Sequence, residues 1–349
     1  MKILHLAAGN RWTGAAAPAF AEVEALRDAG VEAHYAYVGG YKLEAKLRQH
    51  DFAHAIIEKA QNPISFARTA LALRRFVRER GIDVVHAHLT YDHWLARFAA
   101  PPGVRLARTF HARRVLRDDP LSRSLTAKTE HLFVINETFR DVLPRAVFTP
   151  PPLDTRQFAP HGASARAQYG VGDATKLVTV IGKLSQGRGF EDALAAFAEL
   201  RKRMPATKLM IIGHGEHRPA LERFAAQLNV SQHVIWAGYH ETDLAEHYRA
   251  SDLLLFTARG SDEGHRAVLE AMACGVPPAV FPIEGIHALV EPPHIAADST
   301  LQALARTAET LLTGDEAALR AAVAERAELF DFAHAAKRLL AAYRAAAGN

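Results

Sequence analysis

The sequence predicts an α/β protein made of two domains, each with a parallel β-sheet covered by helices. Three observations support this fold class. First, 349 residues exceed what one hydrophobic core comfortably holds. Second, short apolar runs alternate with segments whose apolar residues recur at helical spacing. Third, the proline-dense segment TPPPLDTRQFAPHG, residues 149–162, interrupts the alternation, which then restarts.

The elements follow in order from these apolar runs. Strands are predicted at residues 3–6, 31–38, 84–85 with their flanks, 106–110 and 132–135, and again at 177–181, 209–212, 234–236, 253–256 and 278–281. Helices are predicted at 20–28, 64–80, 190–204 and 221–228, with an alanine-rich helical stretch at 317–347. We therefore expect one domain at 1–150, a second at 151–325, and a C-terminal helix at 326–349 that returns to the first domain.

Composition favours a soluble cytoplasmic protein. Apolar residues make up 49% and charged residues 23% of the chain, as is normal for globular proteins. The single cysteine, Cys274, excludes a disulfide framework and lies in an apolar stretch, so we expect it to be a buried core residue. No apolar run resembles a secretory signal or approaches the roughly 18 residues of a membrane span.

Positive charge is concentrated in the first half. Residues 1–150 hold 22 Lys and Arg against 15 Asp and Glu, whereas the rest holds 20 against 23. The excess lies at 74–80 and 105–117, which predicts a basic face for phosphates or an anionic membrane surface; ordinary solvated helix faces are the alternative. A peripheral membrane helix would use Ile64, Ala67, Leu71 and Val77 with Arg74, Arg75 and Arg78. The same spacing also fits a helix packed on its own sheet.

Two glycine-containing loops follow predicted strands. The first, residues 7–17, holds Gly9 and Gly14 ahead of a helix, which suits an anion but lacks the G-x-G-x-x-G spacing of dinucleotide sites. The second, IGKLSQGRGFED at 181–192, places Lys183 and Arg188 beside pliable Gly182. Two fixed cations there can stabilise a diphosphate leaving group without a metal. Two solvent-facing basic residues are the alternative.

No metal site is predicted. The sequence has no D-x-D triplet, and His86 and His88 are expected to point to opposite faces of their strand, which would prevent them from sharing one ion. Serine-hydrolase, zincin and P-loop motifs are also absent. His111 directly follows the predicted strand 106–110, which places it at the strand ends, where a cleft between the domains is expected.

The stretch SDEGHRAVLEAMACGVP, residues 261–277, reads as a strand–loop–helix junction. Gly264 allows the backbone to approach a ligand, and the N–H groups that open the helix can bind a phosphate. Those N–H groups belong to His265, Arg266, Ala267 and Val268. Glu270, in the first turns of the helix, should face neutral hydroxyls such as those of a ribose. Asp262 should face a second set of hydroxyls. Together these features predict a nucleotide sugar as ligand.

Several motifs resemble those of the GT-B glycosyltransferases of retaining family 4, also called group 1. The family signature E-x7-E with E-A-M-A-x-G-x-P resembles Asp262-x7-Glu270 and residues 270–277, and its G-R-L-x-x-x-K-G resembles residues 182–189. Its G-x-G resembles Gly213-His214-Gly215, and its inter-domain linker resembles residues 152–160. The resemblance covers nearly the full length and implies two Rossmann-like domains facing a cleft.

The resemblance also implies roles. Lys183 and Arg188 would bind the donor diphosphate. Glu270 would bind the ribose and Asp262 would bind the transferred sugar. His111 would lie near that sugar. Residues around Tyr239 and His240 would lie near the base. Asp262 and Lys183 depart from the family's usual Glu and Arg, and His265 stands where Phe is common.

We therefore predict a metal-independent retaining glycosyltransferase of cell-envelope polysaccharide biosynthesis. It would need no cofactor beyond a UDP- or GDP-linked sugar donor, would use a glycan or lipid-linked acceptor at the inner face of the membrane, and would not bind nucleic acid. The alternatives are an epimerase or inverting transferase on the same fold, or a catalytically silent sugar-nucleotide-binding or lipid-binding subunit. A dehydrogenase is less well supported, since neither glycine loop has the required spacing.

Overall fold

The computed structural model describes residues 1–9, 14–58, 62–258 and 264–345. The chain folds into two compact units. The first unit contains Met1–Pro152 together with Phe330–Asn349, and the second contains Leu153–Leu329.

The first unit is built on a parallel sheet with the strand order β3-β2-β1-β4-β5-β6-β7. Its elements along the chain are β1 (Lys2–Ala7), α1 (Ala16–Asp28), β2 (Glu32–Val38), α2 (Lys42–Leu47), β3 (Ala53–Ile57), α3 (Pro63–Arg80), β4 (Val84–Ala87), α4 (Thr90–Ala99), β5 (Arg105–Phe110), α5 (Pro120–Ala127), β6 (His131–Val134) and β7 (Val147–Phe148). The order reverses between β1 and β4, and ligands of such sheets bind at the carboxyl ends beside that reversal.

The second unit repeats this arrangement on a parallel sheet of order β10-β9-β8-β11-β12. Its elements are β8 (Lys176–Ile181), α6 (Phe190–Arg203), β9 (Thr207–Ile212), α7 (Arg218–Gln227), β10 (Val234–Gly238), α8 (Leu244–Arg249), β11 (Leu253–Phe256), α9 (Arg266–Ala273), β12 (Pro278–Val280), α10 (Leu301–Thr313) and α11 (Glu316–Glu328). Here the strand order reverses between β8 and β11.

A last helix, α12 (Phe332–Arg344), packs on the first unit. Its residues Phe332, Leu339 and Tyr343 lie in the same apolar core as residues of α1. The predicted fold class, two parallel-sheet domains with a C-terminal helix returning to the first, is confirmed.

Helix boundaries follow from local capping chemistry. Asn62 accepts a hydrogen bond from the Ser65 N–H at 2.9 Å ahead of Pro63, and α3 ends at Gly81 in the left-handed region, with φ 64°. Asp331 caps α12 by accepting from the His334 N–H at 2.8 Å. The alanine-rich stretch at 317–347 therefore contains two helices, α11 and α12, and the C-terminal helix predicted at 326–349 begins at Phe332.

Two strands and one surface differ from the predictions, and five helices, α2, α4, α5, α8 and α10, were not predicted. β3 and β7 were not predicted, because β3 carries His54 inside a short Ala-rich run and β7 spans only two residues. Arg108 in the basic segment 105–117 is only 1% exposed, so that segment is partly core. In α3, Val77 is buried whereas Ile64 and Leu71 are exposed, so the residues grouped on one peripheral face lie on two faces.

Candidate functional site

Loops at the carboxyl ends of the second sheet pack backbone against backbone. A Cβ atom on Gly189 would lie 2.1 Å from the carbonyl oxygen of Thr257. On Gly213 it would lie 1.9 Å from the carbonyl oxygen of Gly182, and Gly215 is equally crowded. Since real Cβ atoms do not approach carbonyl oxygens so closely, only glycine fits at these three positions. We call this close-packed region, residues 182–189 with 213–215 and Thr257, the glycine cradle.

Hydrogen bonds hold the glycine cradle together. The Leu184 N–H donates to the His214 carbonyl oxygen at 3.0 Å, and the Gly213 N–H donates to the Gly238 carbonyl oxygen at 2.7 Å. The Thr257 hydroxyl donates to the Gly189 carbonyl oxygen at 2.7 Å, which joins the loop after β8 to the end of β11. The cradle therefore lies beside the reversal of strand order, where ligands of doubly wound sheets bind.

The two predicted cations lie in the glycine cradle. Lys183 follows β8, its side chain is 60% exposed, and its Nζ lies 3.9 Å from Glu216 Oε2. Arg188 is partly buried and precedes Gly189, which caps α6. An exposed ammonium and a guanidinium within one loop suit the oxygens of a diphosphate.

The start of α9 differs in detail from the prediction. His265 is the residue before the helix and adopts the left-handed conformation, with φ 48° and ψ 38°. Its side chain turns inward and its Nε2 donates to the Glu284 carbonyl oxygen at 2.9 Å. Val268 was predicted to offer its N–H to a phosphate, but that N–H donates to the His265 carbonyl oxygen at 3.0 Å. Arg266 and Ala267 form the first turn of α9, and Gly264 is a buried turn residue just before it.

Glu270 is buried and its two carboxylate oxygens already have partners. Arg266 Nε lies 2.6 Å from Oε1, one helical turn away, and the Tyr248 hydroxyl donates to Oε2 at 3.1 Å. Each carboxylate oxygen can accept a second hydrogen bond, so Glu270 retains the capacity to accept from ligand hydroxyls. Asp262, its predicted counterpart, lies outside the described residues.

Aromatic rings flank the end of β10. Tyr239 is 59% exposed, and its ring lies edge-on to His214 with centroids 5.0 Å apart. His240 is held in place from both sides, by Asp243 Oδ2 at 2.9 Å and the Ala237 carbonyl oxygen at 3.0 Å. An exposed aromatic face beside the glycine cradle suits stacking with a nucleobase.

In the first unit, His111 begins a chain of hydrogen-bonded imidazoles. His111 Nε2 lies 2.9 Å from His88 Nδ1, and His88 Nε2 lies 2.9 Å from His5 Nδ1. Burial lowers the pKa of His111 and of His5 to about 3, so both rings are neutral. The free ring nitrogens at the two ends, His111 Nδ1 and His5 Nε2, are buried without a hydrogen-bond partner among the described residues.

Beside this chain lies a buried carboxylate. Glu22 Oε2, from α1, is 3.6 Å from His5 Nδ1, 3.7 Å from His88 Nε2 and 3.9 Å from His86 Nδ1. Burial raises the pKa of the Glu22 carboxyl well above its ordinary value. The expectation that His86 and His88 point to opposite faces was wrong: their rings stack with centroids 4.5 Å apart, because residues two apart on a strand share a face.

Two buried charged residues of the first unit are Asp92 in α4 and Arg108 in β5. Asp92 accepts hydrogen bonds from the Ala8 N–H at 2.9 Å and the Leu89 N–H at 2.8 Å, fixing the loop after β1 to the start of α4. Arg108 is buried, and its Nε and Nη1 atoms have no hydrogen-bond partner in the part of the chain that the structure describes. Gly14 precedes α1, and a Cβ atom added there would meet open space.

The sequence predictions missed Tyr248, His5, Glu22, Asp92 and Arg108. Correct use of strand periodicity would have put His86 and His88 on one face and indicated a polar cluster. Glu22 lies between Phe20 and Val23 within an apolar helical stretch, which was also a usable signal. Nothing in the sequence pattern indicated Tyr248, because its partner lies 22 residues away.

The two parallel-sheet units and the glycine cradle define a protein of the GT-B class. Residues 163–329 match the family model described as Glycosyl transferases group 1, and residues 12–157 match the one described as Glycosyltransferase Family 4. The chain belongs to the glycosyltransferase family that these two models describe, group 1 or family 4, and the resemblance drawn from the sequence motifs is confirmed.

Individual relatives differ in name and in the extent of the match. A GDP-mannose-dependent alpha-(1-6)-phosphatidylinositol monomannoside mannosyltransferase of Mycolicibacterium smegmatis is 38% identical over 138 residues, or 37% of this chain and 36%, about a third, of that protein. The N-acetyl-alpha-D-glucosaminyl L-malate synthase of Bacillus anthracis is 25% identical over 293 residues, or 76% of this chain and 75% of that protein.

Solved structures support the fold. Anabaena HepE in complex with UDP superimposes with a TM-score of 0.81 at 17% identity, covering 98% of this chain and 99% of that one.

Among the described residues, no helix has both the length and the apolar character needed to cross a bilayer.

Proposed function

We propose that the protein transfers a sugar from a nucleoside diphosphate sugar to an acceptor, with retention of anomeric configuration. The observation that carries this proposal is the glycine cradle of the second unit. It combines close backbone approach, two cations and an adjacent helix start at the reversal of strand order. These are the features that a sugar diphosphate requires.

The second unit would hold the donor. Lys183 and Arg188, with the helix start at Arg266 and Ala267, stabilise negative charge that grows on the diphosphate as the glycosidic bond breaks. Glu270, oriented by Tyr248, accepts hydrogen bonds from the ribose hydroxyls. In this proposal the cations take the place of a metal ion at the diphosphate.

One aromatic and one acidic residue complete the proposed donor site. Tyr239 stacks on the base beside His240. Asp262, which lies outside the described residues, contacts the transferred sugar. We assign no enzyme nucleophile, and the departing phosphate assists removal of the acceptor proton. For the first unit, we propose that His111 lies near the transferred sugar, as the family resemblance implies.

The names of the relatives indicate which sugar donors and acceptors should be tested first. HepE is described in complex with UDP, and the M. smegmatis relative is named for GDP-mannose. The relatives' names also point to inositol lipids or small hydroxy acids as acceptors. The protein should therefore be tested first with UDP- and GDP-linked sugars and with such acceptors.

The exposed face of α3 supports contact with an anionic membrane surface. Ile64 and Leu71 are 68% and 67% exposed, and Arg75 and Arg78 are exposed on the same helix. Exposed apolar side chains flanked by arginines suit the boundary between lipid headgroups and acyl chains. A cytoplasmic enzyme acting on a lipid-linked acceptor would use such a face, in the envelope-building role expected from the sequence.

Thermal unfolding in the presence of nucleotides and their sugars tests the donor assignment. A true donor raises the melting temperature by mass action, whereas the wrong nucleotides do not. Transfer is then assayed with the stabilising donor and candidate acceptors. Failure of every UDP-, GDP- and ADP-linked compound to stabilise the protein would overturn the proposal.

Product analysis separates the alternatives. Retention of the anomeric configuration supports the proposal, inversion identifies an inverting transferase, and a changed sugar without transfer identifies an epimerase. A donor that binds but is neither transferred nor hydrolysed, with or without acceptor extracts, identifies a silent binding subunit.

A further inference from the structure

The Glu22 carboxylate is unusual because one of its oxygens is buried without a hydrogen bond. Its Oε2 atom has no hydrogen-bond partner in the described parts of the chain, and nitrogens of three histidines lie within 4.0 Å of it. An ionised carboxylate in a protein core carries a large desolvation cost unless a proton or a cation neutralises it. This carboxylate therefore requires one or the other.

The three imidazole nitrogens lie at similar distances from Glu22 Oε2. The distances from Glu22 Oε2 to the three imidazoles, 3.6, 3.7 and 3.9 Å, are too long for hydrogen bonds. They are close to the separation of about 3.4 Å between ligand atoms that tetrahedral zinc imposes with bonds of about 2.0–2.1 Å. Glu22 and the three histidines each offer one ligand atom, and these four atoms all lie within 4.8 Å of one another.

We propose that His5, Glu22, His86 and His88 form a buried binding site for a divalent transition-metal ion, with zinc the best match. Three imidazole nitrogens and one carboxylate oxygen are a ligand set typical of zinc, and softer thiolate ligands are not among them. All four ligands come from the protein, which is the pattern of a structural site. The ion would join β1, α1 and β4 within the first unit.

Metal binding changes the present hydrogen bonds. His5 Nδ1 and His88 Nε2 now lie 2.9 Å apart, and Tyr343 Oη lies 2.6 Å from His86 Nδ1. With an ion bound, each of these nitrogens directs its lone pair to the metal, and the Tyr343 hydroxyl gives up its contact. His88 then carries its proton on Nδ1 and donates to His111, so the ion would fix the tautomer of His111.

A second histidine group lacks these features. His240, Asp243 and His247 of the second unit also come close together. However, both nitrogens of His240 are bonded, to Asp243 and Ala237, and both of His247 are bonded, to Tyr169 and the Asp243 carbonyl oxygen. Both ring nitrogens of His86 and of His88 are bonded as well, so the two groups differ in the carboxylate. Among the described residues Glu22 Oε2 is buried without a partner, whereas Asp243 is partly exposed and pairs with His240, so we propose no ion at the second group.

Metal content of the untagged full-length protein tests the proposal without reference to transfer. The protein is incubated with zinc, dialysed exhaustively, and analysed by inductively coupled plasma mass spectrometry. We expect about one zinc ion per chain, and cobalt in its place should give the visible absorption of a tetrahedral site. Wild-type protein that retains less than about a tenth of an equivalent would overturn the proposal and leave a proton on Glu22 as the neutralising group.

Matched variants locate the ion. Glu22→Gln removes the charged ligand with little change in shape, and it should lose about tenfold or more of the bound metal. His93→Gln changes a buried histidine outside the cluster, and Tyr343→Phe removes the competing hydroxyl, so both should keep the metal. Metal retained by Glu22→Gln would place it elsewhere and overturn the site. Should Glu22→Gln fail to fold, the wild-type cobalt spectrum decides alone.

Discussion

The Tyr248 hydroxyl donates a hydrogen bond to Glu270 Oε2 at 3.1 Å, and both side chains are buried in the second unit. Burial raises the pKa of Tyr248 well above its ordinary value, so the hydroxyl stays protonated and remains a donor. Together with Arg266 on the other oxygen, this bond fixes the plane of the carboxylate that is proposed to bind the ribose.

Tyr248→Phe should weaken donor binding without abolishing it. One net hydrogen bond contributes about 0.5–1.5 kcal/mol, so we expect KM for the donor to rise about two- to twelvefold. Tyr169→Phe, which removes a hydroxyl bonded to His247 instead, is the matched control and should leave KM unchanged. Equal KM values for wild-type protein and Tyr248→Phe would show that Tyr248 does not position Glu270.

Gly189→Ala should destabilise the protein far more than Gly187→Ala. Both glycines have positive φ, 80° and 76°, so both substitutions carry left-handed strain of about 1–2 kcal/mol. Only at Gly189 does the new Cβ also collide with Thr257, whereas Gly187 faces open space. Urea unfolding of the two variants measures the difference, and equal losses would contradict the close packing of the glycine cradle.

Asp92 should make stability depend on pH. Burial raises its pKa from 3.8 to about 7, so the folded state binds a proton that the unfolded state has released. Its contribution to stability is therefore full below about pH 4 and is lost as pH rises through about 7. Asp92→Asn cannot titrate, so the free energy of unfolding of wild-type protein should fall relative to this variant as pH rises from about 4 to about 7. Parallel curves would contradict the prediction.

The exposed face of α3 should bind anionic vesicles. The double variant Ile64→Ser, Leu71→Ser should float less with phosphatidylglycerol liposomes than wild-type protein, and salt should weaken binding by screening the arginines. Leu329→Ser, at an exposed apolar residue of the second unit, is the control. Unchanged flotation of the double variant would exclude this face as the membrane contact.

The sequence predicted the sheets better than the site. Apolar runs such as 177–181 and 253–256 were readable because strands of parallel sheets are buried on both faces. The His5, His86 and His88 cluster was missed through an error in strand periodicity, although the spacing was visible. The left-handed backbone of His265 and the Tyr248–Glu270 bond could not be read from sequence, because both depend on tertiary packing.

Arg108 and Cys274 show the same difference between local and tertiary signals. Cys274 was predicted to be a buried core residue from its apolar neighbours, and it is confirmed as buried, with burial raising its pKa to about 12. Arg108 was counted as surface charge because arginine is rarely buried. Its burial depends on the packing of β5 within the sheet, which composition does not reveal.

Calorimetric titration with nucleoside diphosphates tests the central claim, that the glycine cradle and its cations bind a diphosphate. Wild-type protein should bind UDP or GDP, and Arg188→Ala should bind it about ten- to a hundredfold more weakly, because charge-assisted hydrogen bonds are lost. Lys202→Ala removes an exposed cation of α6 that pairs with Glu199 and should bind like wild type. Binding that is absent from wild-type protein, or equal in Arg188→Ala and Lys202→Ala, would contradict the account.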